Sequence, residues 1–182
     1  MKKSALVLFI FVMITALGAC GTQTTRTTAS SSEATTSQAV ASENTKVDEN
    51  GWTKVNKVVT VEDIQYTVNA FKNGNGSGVF KPEDGKTYCL IDITVKNNTK
   101  EEASLSSILM FDLTDANGNS YDISIGGLAS LEEEKLAQLD GSVAASSERR
   151  GGLAYEVPEN AEGLTLAIKE ILGGGDQKVK LN

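Results

Sequence analysis

Five oxygen-bearing side chains crowd one short stretch of the chain, and their spacing is the first pattern that could do chemistry. They are Asp112, Asp115, Asn117, Asn119 and Asp122. Oxygen ligands at alternate positions around a glycine build calcium loops. With Gly118 at the sixth position of such a loop, however, Leu113 and Ser124 would take the first and twelfth, so both end carboxylates are missing. The sequence therefore favours the turn of a β-hairpin, with a metal site as the alternative.

Composition restricts the catalytic options. The chain contains no histidine, which removes the usual general base at neutral pH, the commonest zinc ligand and every nucleophile pair that needs histidine. A hydrolase would have to work with carboxylates alone, such as Glu132 to Glu134 or Asp112 with Asp115. Only 5% of the residues are aromatic, which leaves little material for a sugar platform. We therefore expect no enzyme and no cofactor, and a carboxylate-dependent hydrolase is the alternative.

The N-terminus carries the pattern of a bacterial lipoprotein signal. Lys2 and Lys3 precede an apolar run from Ala5, and the run ends in the box Leu17-Gly18-Ala19-Cys20. The apolar run is shorter than the roughly 20 residues that span a bilayer. We predict a signal peptide over residues 1–19 and lipid attachment, including palmitate, at Cys20, because two acyl chains make a stable membrane anchor. An ordinary secretory signal or an uncleaved anchor is the alternative.

Residues 20–50 predict a flexible tether. Thr, Ser and Ala dominate the stretch, and it has too few large apolar side chains to offset the entropy lost on ordering its backbone. About thirty such residues have a root-mean-square span of roughly 30 Å. Such a tether suits a domain held outside the membrane of a wall-covered, Gram-positive bacterium, although a plain spacer would look the same.

Charge and cysteine content bear on partners. The net charge of −7 becomes more negative once Lys2 and Lys3 leave with the signal, and Arg149-Arg150 is the only adjacent basic pair beyond it. An acidic chain repels phosphate backbones, so we expect no nucleic-acid partner. That arginine pair is interpreted as solvent-exposed charge at a strand start, with a carboxylate-binding fork as the alternative. Cys89 lies in an apolar run and is expected to be a buried, inert thiol.

The remaining chain, 51–182, is long enough for one domain and is rich in alternating patterns. Apolar residues at every second position predict strands, and Asp115 to Asn119 predicts the turn of a hairpin. The strands are expected at Ile64 to Ala70, Cys89 to Val95, Ile108 to Thr114, Tyr121 to Ile125, Leu153 to Val157, Leu164 to Ile168 and Val179 to Leu181. Short strands separated by regular turns are typical of an all-β sandwich.

Three further segments complete the prediction. A capping box of Ser130 and Glu133, followed by leucines at helical spacing, predicts one short helix from Ser130 to Leu139, with an acidic docking helix as the functional alternative. The glycine-rich Asn73 to Gly78 lacks a phosphate-binding ending, so we expect a loop. Trp52, the only tryptophan, is interpreted as an apolar plug, with a sugar-stacking platform as the alternative.

Several of these patterns together resemble a known family. The residues that carry the resemblance are Tyr66-Thr67-Val68, Ile91 to Asn98, Phe111 to Tyr121 and Gly151 to Pro158. They are similar to an immunoglobulin-like domain of bacterial lipoproteins, domain of unknown function 4352, in the superfamily of an immunoprotective extracellular mycobacterial antigen. The chain departs from that pattern at Ser146-Ser147-Glu148, where a Pro-Gly turn is usual, and at Tyr155, where Phe is usual. The resemblance implies an immunoglobulin-like sandwich and brings no catalytic residues.

The sequence thus predicts a surface-anchored lipoprotein that is held by Cys20 and presents a non-catalytic β-sandwich. Its partner could be a protein, a wall polymer or a small ligand, bound through loops or a sheet edge. A structural or accessory subunit of an envelope assembly is the alternative that the sequence leaves open.

Overall fold

Two antiparallel sheets packed face to face confirm the all-β, immunoglobulin-like sandwich. The computed structural model describes residues 47–76, 78–170 and 175–182. The elements in chain order are β1 (Thr53–Val61), β2 (Ile64–Gly74), β3 (Lys86–Asn97), β4 (Ala103–Leu105), α1 (Ser107–Met110), β5 (Phe111–Thr114), β6 (Ser120–Tyr121), α2 (Ile125–Glu133), β7 (Gly141–Val143), β8 (Glu148–Pro158), β9 (Thr165–Ile168) and β10 (Gln177–Lys180). The large sheet has the order β1-β2-β3-β8, the facing sheet has the order β10-β9-β5-β6, and β4 pairs with β7.

The central strand β3 supplies the middle of the core. Cys89, Ile91 and Ile93 on its inner face are fully buried among residues from both sheets. Burial raises the pKa of the Cys89 thiol to about 12, because a thiolate would lose its hydration there. The expectation that Cys89 is buried is confirmed.

The outer face of β3 is apolar over half of its length, and helix α2 covers that half. Tyr88 and Leu90 of β3 form a second buried cluster with Ala154 of β8 and with Leu131 and Leu136. The apolar side of α2 therefore packs on the outer face of the large sheet. Without the helix, that face would be exposed to solvent.

Helix α2 begins five residues earlier than the sequence analysis predicts. Ser124, and not Ser130, is its N-cap, and the Ser124 hydroxyl accepts a hydrogen bond of 3.2 Å from the backbone N–H of Gly127. A Cβ atom at Gly127 would lie 2.8 Å from the Cβ of Ala154, so the glycine permits the close approach of helix and sheet. The predicted helix over Ser130 to Leu139 therefore has the wrong bounds. The helix starts earlier because packing against the sheet outweighs the low helix propensity of its glycines.

Two of the predicted strands are replaced by helix over part of their length. The first, Ile108 to Thr114, begins only at Phe111, because the residues before it form the short helix α1. The second, Tyr121 to Ile125, is a strand only through Tyr121, and Ile125 already belongs to α2. The prediction of a single helix is therefore also wrong, since the described part of the chain contains α1 as well as α2.

The N-terminal segments are described only in part. The predicted signal peptide, the box ending at Cys20 and most of the tether lie outside the described residues, as does most of the loop at Gly173 to Gly175. The last residues assigned to the tether form a turn, in which the N–H of Gly51 donates to the carbonyl of Asp48. Val47 then makes an isolated antiparallel bridge with Thr53.

Removing the hydroxyl of Tyr155 is expected to stabilise the fold. Its hydroxyl is fully buried with no hydrogen-bond partner among the described residues, and such an orphaned group costs roughly 1–3 kcal/mol. We expect Tyr155→Phe to raise the free energy of unfolding by about 1 kcal/mol in chemical denaturation. Tyr121→Phe is the matched control, because Tyr121 donates a hydrogen bond of 2.8 Å to Asp115. A loss of stability in both variants would contradict the prediction.

Candidate binding groove

An open groove of about 400 Å³ lies where the two helices meet the β5-β6 hairpin. Its apolar wall consists of Ile108, Phe111, Tyr121, Ile123, Ile125 and Leu128. Three polar side chains, Asp112, Asp122 and Gln138, complete the lining. We call these nine residues the apolar groove.

Helix α1 turns two large apolar side chains toward solvent. Ser107 and Met110 on its inner side are buried, and Ser107 donates two hydrogen bonds to Asp140, from its N–H at 2.6 Å and from its hydroxyl at 2.9 Å. These bonds fix the orientation of the turn, so Ile108 and Leu109 stay 71% and 68% exposed. Gln138 on the wall of the groove donates to the same Ser107 hydroxyl at 3.0 Å.

The opposite side of the apolar groove is formed by the first turn of α2. Ile125 is the first residue of the helix and is 81% exposed. Because Gly127 faces the sheet, the side chain of Ile125 is left on the solvent side. Ile108 and Ile125 thus place exposed apolar surface on the lining of one concavity, an arrangement that commonly marks an interaction site.

The edge of the apolar groove carries two carboxylates. Asp112 forms an ion pair of 2.5 Å with Lys169, and hydrogen bonding to Asp112 raises the pKa of that lysine. Asp122 is exposed and has no ion-pair partner among the described residues. The groove is therefore apolar inside and acidic at its edge.

The five candidate calcium ligands separate into two groups. Asp112 and Asp122 line the apolar groove, whereas Asp115, Asn117 and Asn119 lie in the hairpin turn. Leu113 pairs with Tyr121 in that hairpin, so the hairpin interpretation is confirmed. Within the described residues no three Asp, Glu or Cys side chains form a cluster that could hold a metal ion.

The Asp115 carboxylate organises the turn. Its Oδ1 accepts from the backbone N–H groups of Asn117 and Asn119, both at 2.9 Å, and its Oδ2 accepts from Asn119 Nδ2 and the Tyr121 hydroxyl, both at 2.8 Å. Hydrogen bonding from Asn119, with smaller contributions from Tyr121 and Asn117, lowers the pKa of Asp115 to about 2. Tyr121 is thereby held in place on the wall of the groove.

Other carboxylates proposed for catalysis are dispersed in the described part of the chain. Glu132 and Glu133 are exposed on α2, and Glu134 is bound by Lys72 and by the indole N–H of Trp52.

Among the described residues no helix is both long and apolar enough to cross a membrane.

The fold defines the class as an immunoglobulin-like β-sandwich domain. More specifically, the chain belongs to the family described as Domain of unknown function (DUF4352), whose profile matches residues 53–179. No curated protein matches the chain at a significant level.

Several solved structures are similar to this chain. A conserved hypothetical protein from Bacillus anthracis has 19% identity over 71% of this chain and 94% of its own, with a TM-score of 0.54. The yjhA protein from Bacillus subtilis has 22% identity over 71% of this chain and 99% of its own, with a TM-score of 0.55. The ycdA protein of the same species, described provisionally as a lipoprotein, has 15% identity over 71% of this chain and 39% of its own, with a TM-score of 0.55. At these identities the likeness shows the fold.

The stabilisation that the Asp115 carboxylate gives the fold is expected to be lost in acid. Because the pKa of Asp115 is lowered to about 2 in the folded chain, its stabilisation is present above the unfolded pKa of about 4 and is lost as the pH falls toward 2. We expect Asp115→Asn to lower the melting temperature at neutral pH, with the difference from the parent chain shrinking below about pH 4. Melting curves across this range test the prediction, and a difference independent of pH would contradict it.

Proposed function

We propose that this chain is a lipid-anchored surface protein whose β-sandwich binds another protein through the apolar groove, without catalysis. The observation that carries the proposal is that Ile108 and Ile125, both largely exposed, line one concavity. The box ending at Cys20 supports the anchor, and the provisional description of ycdA as a lipoprotein agrees with it.

Apolar burial would supply the driving force for binding. Full burial of an isoleucine or leucine side chain stabilises by roughly 1.5–3 kcal/mol. Ile108 and Ile125 together can therefore offset part of the entropy that association costs. A groove between helix and hairpin also allows shape complementarity with a partner, which isolated exposed residues on a flat sheet would not.

Charge at the edge of the groove narrows the class of partner. The lining includes Asp112 and Asp122 and no lysine or arginine. Lys169 compensates Asp112, whereas Asp122 lacks an ion-pair partner among the described residues. The partner segment therefore presents apolar side chains next to a lysine or arginine, since complementary charge sets orientation and excludes wrong partners.

Three other functions give different results in the same experiments. A structural or accessory subunit of an envelope assembly would co-purify in fixed stoichiometry and would not dissociate reversibly. Binding of a wall polymer would give no discrete protein adduct. A carboxylate-dependent hydrolase would lose turnover on substitution of Glu132 to Glu134 or of Asp112 with Asp115, without any change in adducts at the groove.

The anchor has its own test. Cys20→Ala removes the thiol that would receive the lipid, so we expect the variant to be unlipidated and to lose stable membrane retention. Fractionation of cells and metabolic labelling with a palmitate analogue measure both properties. Cys89→Ala is the matched control and should leave both unchanged. Equal labelling and retention of the Cys20 variant would overturn the anchor.

The apolar groove is tested by photo-crosslinking on living cells. A photoreactive residue at Leu109, which is exposed and follows the groove residue Ile108 in the chain, should give a discrete protein adduct. We expect Ile125→Asp to reduce that adduct at least about tenfold, because the variant loses an apolar contact and adds a carboxylate that docking would have to desolvate. Mass spectrometry of the adduct should identify an apolar segment with a neighbouring lysine or arginine.

Val79 provides the control for that experiment. It is 89% exposed and does not line the groove, so Val79→Asp should leave the Leu109 adduct unchanged. Equal loss with both variants, or no loss with Ile125→Asp, would overturn the groove as the binding site.

A further inference from the structure

A second concavity, separate from the apolar groove, lies on the outer face of the large sheet beside the C-terminal end of α2. Its volume is about 380 Å³. The side chains that the argument uses are Trp52, Asn56, Asn69, Asp92, Glu134 and Arg150. We call these six residues the polar pocket.

The floor of the polar pocket is an ion pair whose carboxylate is buried. The side chain of Asp92 is only 7% exposed, whereas that of Arg150 is 64% exposed. Arg150 donates to both Asp92 oxygens, from Nε at 2.9 Å and from Nη2 at 2.7 Å, and Asn69 Nδ2 donates to Asp92 Oδ1 at 3.1 Å. The carboxylate-binding fork that the sequence left as an alternative at Arg149-Arg150 is thus formed within the chain, by Arg150.

This ion pair leaves a fixed set of donors facing solvent. A guanidinium carries five N–H groups in one plane, and Asp92 takes only two of them. Within the described residues no other acceptor binds Arg150. Because the fork holds the plane rigid, the remaining N–H groups are oriented before any ligand arrives, which lowers the entropic cost of binding.

Trp52 forms the facing wall. Its indole N–H donates to Glu134 Oε2 at 3.2 Å, and Lys72 Nζ, which also binds Glu134, lies 5.4 Å from the ring centroid. Asp48 Oδ1 accepts from the Trp52 backbone N–H at 2.9 Å. Trp52 is half-buried against the cluster under α2, as a plug would be, yet it also lines the polar pocket.

Charge in the polar pocket is nearly balanced. Asp92 is compensated by Arg150 and Glu134 by Lys72. The two further charged side chains in its lining, Asp48 and Lys54, have opposite signs. A balanced site gives no net attraction for an ion, so its polarity favours an uncharged ligand with many hydroxyl groups.

We infer that the polar pocket binds a neutral saccharide. A sugar ring has an apolar C–H face that matches an aromatic wall and an edge of hydroxyls that match the guanidinium of Arg150 and the amide of Asn56. The Asn69 amide offers only its oxygen, because its Nδ2 already donates to Asp92 and Thr94. The volume lies in the range of ordinary ligand sites. This site is independent of the apolar groove, and the ligand is a glycan and not a protein.

The single tryptophan supplies a direct readout. Trp52 is the only one in the chain, so tryptophan fluorescence reports on the surroundings of this one pocket residue. The full-length chain, purified from membranes in a detergent without a sugar headgroup, is titrated with glucose, N-acetylglucosamine and chitotetraose, and separately with inorganic phosphate. We expect a saturable change with at least one saccharide at millimolar or lower concentration and none with phosphate.

Two adjacent arginines give the matched variants. Arg150→Lys keeps the charge beside Asp92 but removes the fork and its spare donors, so saccharide affinity should fall at least about tenfold. Arg149→Lys should bind as the parent does, because Arg149 is directed at the carbonyls of Gln138 and Ser142. Melting temperatures show whether both variants are folded, and Asn56→Ala, at an exposed residue, tests the pocket without touching the ion pair.

The outcomes separate this inference from the proposed function. Saccharide binding that survives Ile125→Asp and is lost in Arg150→Lys and Asn56→Ala supports it, whatever the result at the apolar groove. Saturation by phosphate alone, absence of any saturable change with the three saccharides, or equal weakening by Arg149→Lys would overturn it.

Discussion

The strand β3 is buried on both faces for most of its length, and the rest of the structure follows from how each face is covered. Its inner face, with Cys89, Ile91 and Ile93, requires the second sheet. Its outer face begins apolar at Tyr88 and Leu90 and becomes charged at Asp92. Helix α2 covers the apolar half, and an arginine of the neighbouring strand β8 compensates the charged half, because neither exposed apolar area nor a lone buried carboxylate is tolerated cheaply.

Both candidate sites lie at the borders of that cover. The first residue of α2, Ile125, forms one wall of the apolar groove, and its C-cap residue, Glu134, lines the polar pocket. The helix is held in between by Leu131 against the sheet and by the close contact of Gly127 with Ala154. Because these contacts lie between the two ends of the helix, Ile125 and Glu134 remain available to line the two concavities.

The elements that the sequence predicts correctly are those determined by residues close to one another in the chain. Alternation at Cys89 to Val95 and the turn residues around Asp115 indicate strands and a hairpin, and the structure contains both. The start of α2 was not predictable in the same way, because Gly126 and Gly127 weaken helix propensity. These glycines allow the helix to pack closely against Tyr88 and Ala154, which are distant in the chain. Helix α1 likewise depends on bonds between Ser107 and Asp140.

The sites were less predictable than the fold, for a related reason. The sequence singled out Asp112 and Asp122 as metal-ligand candidates. Their shared position at a groove follows from hairpin geometry combined with α1, which the sequence analysis missed, and with the start of α2, which it placed five residues too late. Arg150 and Asp92 meet only because β3 and β8 pair in a register that sets Thr94 opposite Arg150. A useful signal was present, however: Tyr88, Leu90 and Asp92 alternate on one face of a strand whose other face is already apolar. A strand that is apolar on both faces needs a second cover. A carboxylate at the edge of that cover needs a cation, so the sequence of β3 by itself implies a basic partner for Asp92.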